Sequence, residues 1–220
     1  MKKIAISLTI ALMFLFAFSG CIHGARGSGV RKTEQRQLAL FTAIETSGAF
    51  QVDVACQKPA SFEIEADDNI LPLIQTEVSN GVLRVSTTKS YMSSGGILLR
   101  ITLPNLESIE SSGAGKFQVS DLKNDNFKIH STGASTVNAS GISKTVEIDS
   151  TGAGKIDAHN LEARKADVSV TGAAAVDVSV SDQLDVTVSG AGRVTYSGNP
   201  KVTKRVSGAG QVKKKESTGV

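Results

Sequence analysis

Residues 186–212 read VTVSGAGRVTYSGNPKVTKRVSGAGQV, and Ser-Gly-Ala-Gly occurs twice within them, at 189–192 and 207–210. Each copy sits between residues that alternate apolar and polar. A phosphate-binding loop, a flexible linker and a corner in a repeating fold all fit such a motif in isolation. The rest of the chain separates them. Aligned on Gly113, Gly133, Gly152, Gly172, Gly190 and Gly208, it repeats at spacings of 20, 19, 20, 18 and 18 residues. A hydroxyl residue precedes every one of these glycines (Ser112, Thr132, Thr151, Thr171, Ser189, Ser207), and an alanine follows every one.

The flanks repeat as well. Four residues after the glycine stand Phe117, Val137, Ile156, Val176, Val194 and Val212, and six after stand Val119, Ala139, Ala158, Val178 and Tyr196. Four before stand Ile109, Ile129, Ile148, Val168 and Val186, a row that Lys204 breaks. Polar residues alternate with them, which is the period of a strand with one buried face. Each unit is therefore a strand, a [Ser/Thr]-Gly-Ala hinge, a second strand and a variable polar loop such as DLKNDN (121–126) or HNLEARK (159–165). A unit of this length cannot bury its own apolar face, but stacked units can. At ~3.3 Å per residue one winding measures roughly 60 Å, and successive windings rise ~4.8 Å. The expected fold is all-β, a parallel β-solenoid or β-helix with coils of 18–20 residues. The hinge glycines are expected to adopt backbone angles that a Cβ disfavours. The alanines are expected to point inward at the corner.

Residues 40–104 repeat less clearly. Ser47-Gly48-Ala49 followed by Phe50, Val52 and Val54 reads as a degenerate early copy, and DDNILPLIQTEV (67–78) as a short helix capped by Asp68 or Asn69 with Pro72 in its first turn. This part would cover the first coil, whose strand edges would otherwise be open. At the far end Lys213, Lys214 and Lys215 discourage strand addition.

The beginning of the chain is of a different kind. Lys2 and Lys3 precede a run without charge from Ile4 to Phe18, then Ser19-Gly20-Cys21. The run is short of the ~20 residues that span a bilayer and reads as a bacterial secretory signal over 1–20. FAFSGC (16–21) resembles a lipobox, which implies lipid on Cys21, with palmitate incorporation as its assay. Residues 21–39 then read as the lipidated cysteine and a flexible basic tether carrying Arg26, Arg31, Lys32 and Arg36, suited to anionic headgroups. Residues 40–213 form the solenoid domain and 214–220 a polar tail. Cys56 would be the sole remaining thiol, so no internal disulfide is available.

From about Glu45 to Val212 the chain resembles the head GIN domain family of auto-transporter adhesins. The residues that carry the likeness are TSGAFQV (46–52), NILPLIQTEVSNGVLRV (69–85), RITLPNLESIESSGAGKF (100–117), STGAGKI (150–156) and VSGAGRVTYSGNP (188–200). The resemblance implies β-helical structure and a bacterial envelope location, with the outer membrane favoured because Ile22 is not aspartate. Ser135 and Ala174 depart from the pattern, since each replaces the second glycine of its corner.

Little in the sequence points to catalysis. Gly-Lys at 115–116 and 154–155 lacks the remainder of a phosphate loop: Glu110 and Asp149 stand where glycine is needed, and Phe117 and Ile156 where Ser or Thr is needed. His23, His130 and His159 lie in no motif. The net charge of +3 implies no nucleic-acid partner. No cofactor, nucleotide or catalytic residue is assigned. The remaining candidates are outward rows of like residues. Glu147, Asp167 and Asp185 form one, and Asn138, Asp157 and Asp177 another, with neighbours about 5 Å apart. Carboxylates that close repel by about 1 kcal/mol in water, so lateral cations, splayed side chains or a bound Ca²⁺ at Asn138, Asp157 and Asp177 must offset them. Lys116, Lys155 and Arg193 form a basic row. The reading is a non-enzymatic, lipid-anchored envelope protein whose repetitive surface binds proteins or glycans. The alternatives are a polysaccharide-acting enzyme built on stacked acids, and a structural or sensory module of envelope assembly.

Overall fold

The structure, a computed structural model, describes residues 24–215. The expected signal segment and Cys21 lie outside the described residues, as does the tail from 216 onward. The strands in chain order are β1 (Ala25–Arg26), β2 (Arg31–Gln35), β3 (Ala43–Gly48), β4 (Phe50–Ala55), β5 (Ser61–Asp67), β6 (Ile74–Ser79), β7 (Val82–Thr87), β8 (Tyr91–Met92) and β9 (Ile97–Thr102). They continue as β10 (Ser108–Gly113), β11 (Lys116–Gly133), β12 (Thr136–Gly152), β13 (Lys155–Gly172), β14 (Ala175–Gly190), β15 (Arg193–Ser197), β16 (Lys201–Gly208) and β17 (Gln211–Lys214).

The protein is a parallel β-solenoid. From β10 onward each winding pairs in parallel with the next, and the hinge glycines lie in one file: Gly48, Gly113, Gly133, Gly152, Gly172, Gly190 and Gly208 are successive register partners. Their φ values run from +100° to +135°. A Cβ on Gly152 would stand 2.3 Å from the carbonyl oxygen of Gly133, so the file needs glycine both for its backbone angle and for the closeness of the winding below. The corner peptides stay in the ladder. Ala134, Ala153, Ala173 and Ala191 donate to the oxygens of Gly113, Gly133, Gly152 and Gly172 at 2.8, 2.9, 2.8 and 2.8 Å.

The two apolar rows on either side of the hinge meet inside, where Phe117, Val137, Ile156, Val176 and Val194 and, opposite, Ile109, Ile129, Ile148, Val168 and Val186 are all buried. Lys204 extends the second row, in register with Val186, and is exposed. Among the described residues no strand pairs on its far side.

The structure corrects four expectations. The corner alanines do not turn inward: Ala114, Ala134, Ala153, Ala173, Ala191 and Ala209 are exposed, and the inward site is one residue later, at Gly115, Ser135, Gly154, Ala174, Gly192 and Gly210. The segments read as polar loops are largely strand. They pair with their neighbours through bulges, at Val119/Leu122 and Asn138/Ser140 for example, and bury Leu122, Leu161, Ala163 and Val180. The expected helix over 67–78 is one 3-10 turn, Leu71–Leu73, which starts after Ile70 with no side-chain cap; Pro72 does fall in its first turn.

The fourth correction concerns the expected flexible tether. From Gly24 onward this segment is folded onto the domain. β1 pairs with β8, and β2 pairs antiparallel with β5. Arg31 donates to the Gly96 oxygen at 2.7 Å and to Glu65 Oε1, and pairs with Asp67. Arg36 donates to the Ile74 oxygen at 2.8 Å and pairs with Glu34. These strands belong to a cap on the first coil. Gly48 takes its place in the glycine file as the early copy requires, but in space β3 and β4 lie between the winding that starts at β10 and an outer layer, β7 and β9. Antiparallel β6, β5 and β2 close that outer layer.

Candidate functional site

The outward residues form regular rows, because register carries each one directly over its equivalent. Before the hinge the row runs Lys128, Glu147, Asp167, Asp185, Thr203, and two residues later a parallel row runs His130, Asp149, Ser169, Thr187, Arg205. After the hinge stands Gln118, Asn138, Asp157, Asp177, Thr195. Both acidic rows thus stand in file, ~4.8 Å per step.

The first acidic row is compensated at its start. Lys128 Nζ lies 2.6 Å from Glu147 Oε1 and 3.7 Å from Asp149 Oδ2. Asp185 accepts from Gln183 at 2.6 Å. Asp167, between them, makes no ion pair among the described residues. Partial burial first, and then the charges of Asp185, Glu147 and Asp149, push its carboxyl above the usual range, against a smaller pull from Arg205.

The second row gathers a residue that sequence reasoning passed over. His159 was a loop histidine with no motif around it; the structure turns its Nδ1 onto Asp157 Oδ1. Lys155 Nζ lies 3.7 Å from the other oxygen of Asp157, and Lys215 Nζ lies 3.5 Å from Asp177 Oδ2. Burial would raise the Asp157 carboxyl, but the hydrogen bonds from His159 and the charges of His159 and Lys155 outweigh it, and the group titrates below its ordinary range. One ligand atom each from Asp157, His159 and Asp177 falls within a span of 4.8 Å. Asp177 Oδ1 is buried without a hydrogen-bond partner. The only trace of this grouping in the sequence is that His159 follows Asp157 by two residues, which puts both on one face if the strand continues.

The remaining candidates fall as follows. Lys116, Lys155 and Arg193 are exposed on a row interrupted by Thr136 and Ala175, so the basic row is discontinuous. The hinge hydroxyls Ser47, Ser112, Thr132, Thr151, Thr171, Ser189 and Ser207 form an unbroken row. Within it Ser112 alone makes a side-chain hydrogen bond among the described residues, 3.4 Å to the Thr46 oxygen. Cys56 is buried in the core. No helix among the described residues is long and apolar enough to cross a membrane.

Fold and surface together define the class: a β-solenoid that displays polar side chains in repeated rungs. The chain belongs to the family described as "Putative auto-transporter adhesin, head GIN domain", which matches residues 40–200. Adhesins are binding proteins rather than enzymes. No match was found among curated proteins. Solved structures share the fold. A "putative adhesin" from Bacteroides fragilis is 24% identical, with 87% of this chain and 100% of that one covered at a TM-score of 0.73. Another from Parabacteroides merdae is 20% identical, covering 88% and 99% at 0.57. A "putative lipid binding protein" from Parabacteroides distasonis is 20% identical, covering 87% and 99% at 0.56.

Proposed function

We propose that this is a lipid-anchored adhesin-type protein of the bacterial envelope, held by Cys21 in the outer membrane, whose stacked rungs bind proteins or glycans. The observation that carries the binding role is the file of like side chains, above all the unbroken row of hinge hydroxyls from Ser47 to Ser207. Each rung offers one shallow, weak contact. A repeating ligand that meets several rungs gains affinity from multiplicity rather than from a deep pocket. Two measurements test the reading separately. Labelled palmitate should enter the wild-type protein and not Cys21→Ala; equal labelling of both removes the anchor. On a glycan and envelope-protein array, Thr132→Val/Thr151→Val/Thr171→Val should lose most of the binding that the parent domain shows; retention would remove the hydroxyl row from the binding role.

A second reading is favoured by the convergence of Asp157, His159 and Asp177. A divalent cation there would take two carboxylates and an imidazole, with Asn138 one rung below. The nitrogen ligand suits a transition ion such as Zn²⁺ better than Ca²⁺, which takes oxygen. It would have to compete with Lys155 and Lys215. A melting temperature raised by Zn²⁺ in the wild type but not in Asp177→Asn supports this site, and no shift in either removes it. The alternative of an enzyme acting on polysaccharide gains no support from this rung, whose acids are already paired with cations of the chain.

A further inference from the structure

The folding of residues 24–36 onto the domain changes what a lipid on Cys21 would do, and the following rests on the anchor proposed above. Gly24 stands three residue steps along the chain from Cys21. At no more than ~3.6 Å each they reach about 11 Å. The polar headgroup layer of one leaflet takes up about 5–7 Å of that. Without a tether, the body of the protein is held at the lipid surface.

The part held there is the clasp made by β1 and β8. Gly24 abuts Ser90, Ala25 N donates to the Ser90 oxygen at 2.8 Å, and Gly27 N donates to the Met92 oxygen at 2.8 Å. In a two-stranded ribbon alternate residues face opposite ways. Tyr91 turns toward the body and donates its hydroxyl to the Ala49 oxygen at 2.7 Å. Arg26 and Met92, register partners, occupy the other face. Met92 is 69% exposed, and Val30, three residues beyond Gly27, is 54% exposed. The charges fit as well. Arg31, Lys32 and Arg36 are spent on Glu65, Asp67, Asp68 and Glu34. Arg26 and the exposed Lys89 make no ion pair among the described residues.

We infer that the β1–β8 clasp is a membrane-docking surface: Met92 and Val30 enter the interface of the bilayer that holds Cys21, and Arg26 and Lys89 meet its anionic headgroups. The solenoid then stands at a set attitude to the membrane instead of swinging on a leash, and its hydroxyl and acidic rungs are presented in a fixed direction. The occupant is the protein's own membrane, because the chain length between lipid and clasp brings no other surface so near.

The test uses the full lipidated protein in vesicles of phosphatidylethanolamine and phosphatidylglycerol that contain a nitroxide-labelled phospholipid. A bimane probe is placed by Met92→Cys, or, in a second preparation, by Ser207→Cys. Ser207 lies six register steps, about 29 Å, along the glycine file from the corner that Tyr91 touches. Cys56 takes no probe, since burial first and the charge of Asp121 second push its thiol up to about 11. The expected result is flotation of both preparations with the vesicles and at least threefold stronger quenching at 92 than at 207. Flotation with equal quenching at the two positions would overturn the docking surface and leave the anchor standing. Failure to float would overturn the anchor, and this inference with it. Arg26→Glu/Lys89→Glu should still float while quenching at 92 falls by half or more; undiminished quenching there overturns the headgroup contacts.

Discussion

The early and late coils fill the same corner in two ways. The inward position two residues before the hinge glycine is Thr46, Ser111, Ser131 and Ser150 in the early coils, and Val170 and Val188 in the later ones; all are buried. The residue that packs against it comes from the second small position of the next winding. Ser135 Oγ meets Ser111 Oγ at 2.7 Å. The missing Cβ of Gly154 would lie 3.6 Å from Ser131 Oγ, whereas those of Gly192 and Gly210 would lie 2.6 and 2.5 Å from the Cγ1 atoms of Val170 and Val188. By the same stacking Ala174 faces Ser150. The corner holds a nearly constant volume. Where the inner side chain is a small hydroxyl residue the facing site accepts serine or alanine, and where it is valine only glycine fits. That accounts for Ser135 and Ala174, the two departures from the repeat. The hydroxyl version has a cost, since Thr46 Oγ1, Ser131 Oγ and Ser150 Oγ are buried with no hydrogen-bond partner.

The largest expected effect lies outside this difference and sets its scale. Gly152→Ala drives a Cβ into the Gly133 oxygen at a φ of +134°. It should cost at least about 3 kcal/mol in urea unfolding, while the exposed neighbour change Ala153→Ser stays within about 0.5 kcal/mol. Equal stability of the two would break the stacked corner itself. Next, Gly192→Ala should lose about 1–3 kcal/mol by overpacking Val170, and Val170→Ser in the same chain should recover much of it. A coupling energy under ~0.5 kcal/mol in that double-mutant cycle would deny that the two sites share one volume. The converse exchange sharpens the comparison. Ser150→Val/Ala174→Gly imports the late arrangement into an early coil and should gain about 1 kcal/mol by removing an unpaired hydroxyl, whereas Ser150→Val alone should lose stability.

The smallest effect belongs to the surface. The carboxyl of Asp167 is raised above its unfolded value by burial and by Asp185, Glu147 and Asp149. Its ionisation therefore opposes folding at neutral pH, and protonation relieves that as pH falls through the raised value. Asp167→Asn should melt slightly above the wild type at pH 7, by no more than ~0.5 kcal/mol after solvent screening. The gap should close toward about pH 4 and below. A gap that widens on acidification would show that the row is stabilised rather than strained by its charges.

Much of the architecture was legible because its cause is local. The alternation on either side of Gly133 or Gly172 states which side chains share a face, and the repeat length states which residues stack. The acidic rows Glu147–Asp167–Asp185 and Asn138–Asp157–Asp177 could therefore be placed rung by rung. The candidate site was legible only in part, because the turn that sets His159 against Asp157 occurs where the strand bulges and the period lapses. The corner alanines were misplaced for a related reason. Alternation fails across a residue with φ near +130°, so the inward site moves by one position.

What the sequence determined by itself is the winding: a period, a buried face, a glycine at each bend, and membership of like residues in common files. These follow from side-chain alternation and from the steric demands of a Cβ, which act within a few residues. Tertiary structure decided where the non-repeating parts go. That β3 lies between β10 and β7 and β4 between β11 and β9, and that Arg31 and Arg36 bind their own segment to β5 and β6 rather than leave it loose, depend on ion pairs and ladders between residues 30–65 positions apart. No period announces such contacts. Their strength depends on burial and geometry that exist only once the first coil has formed.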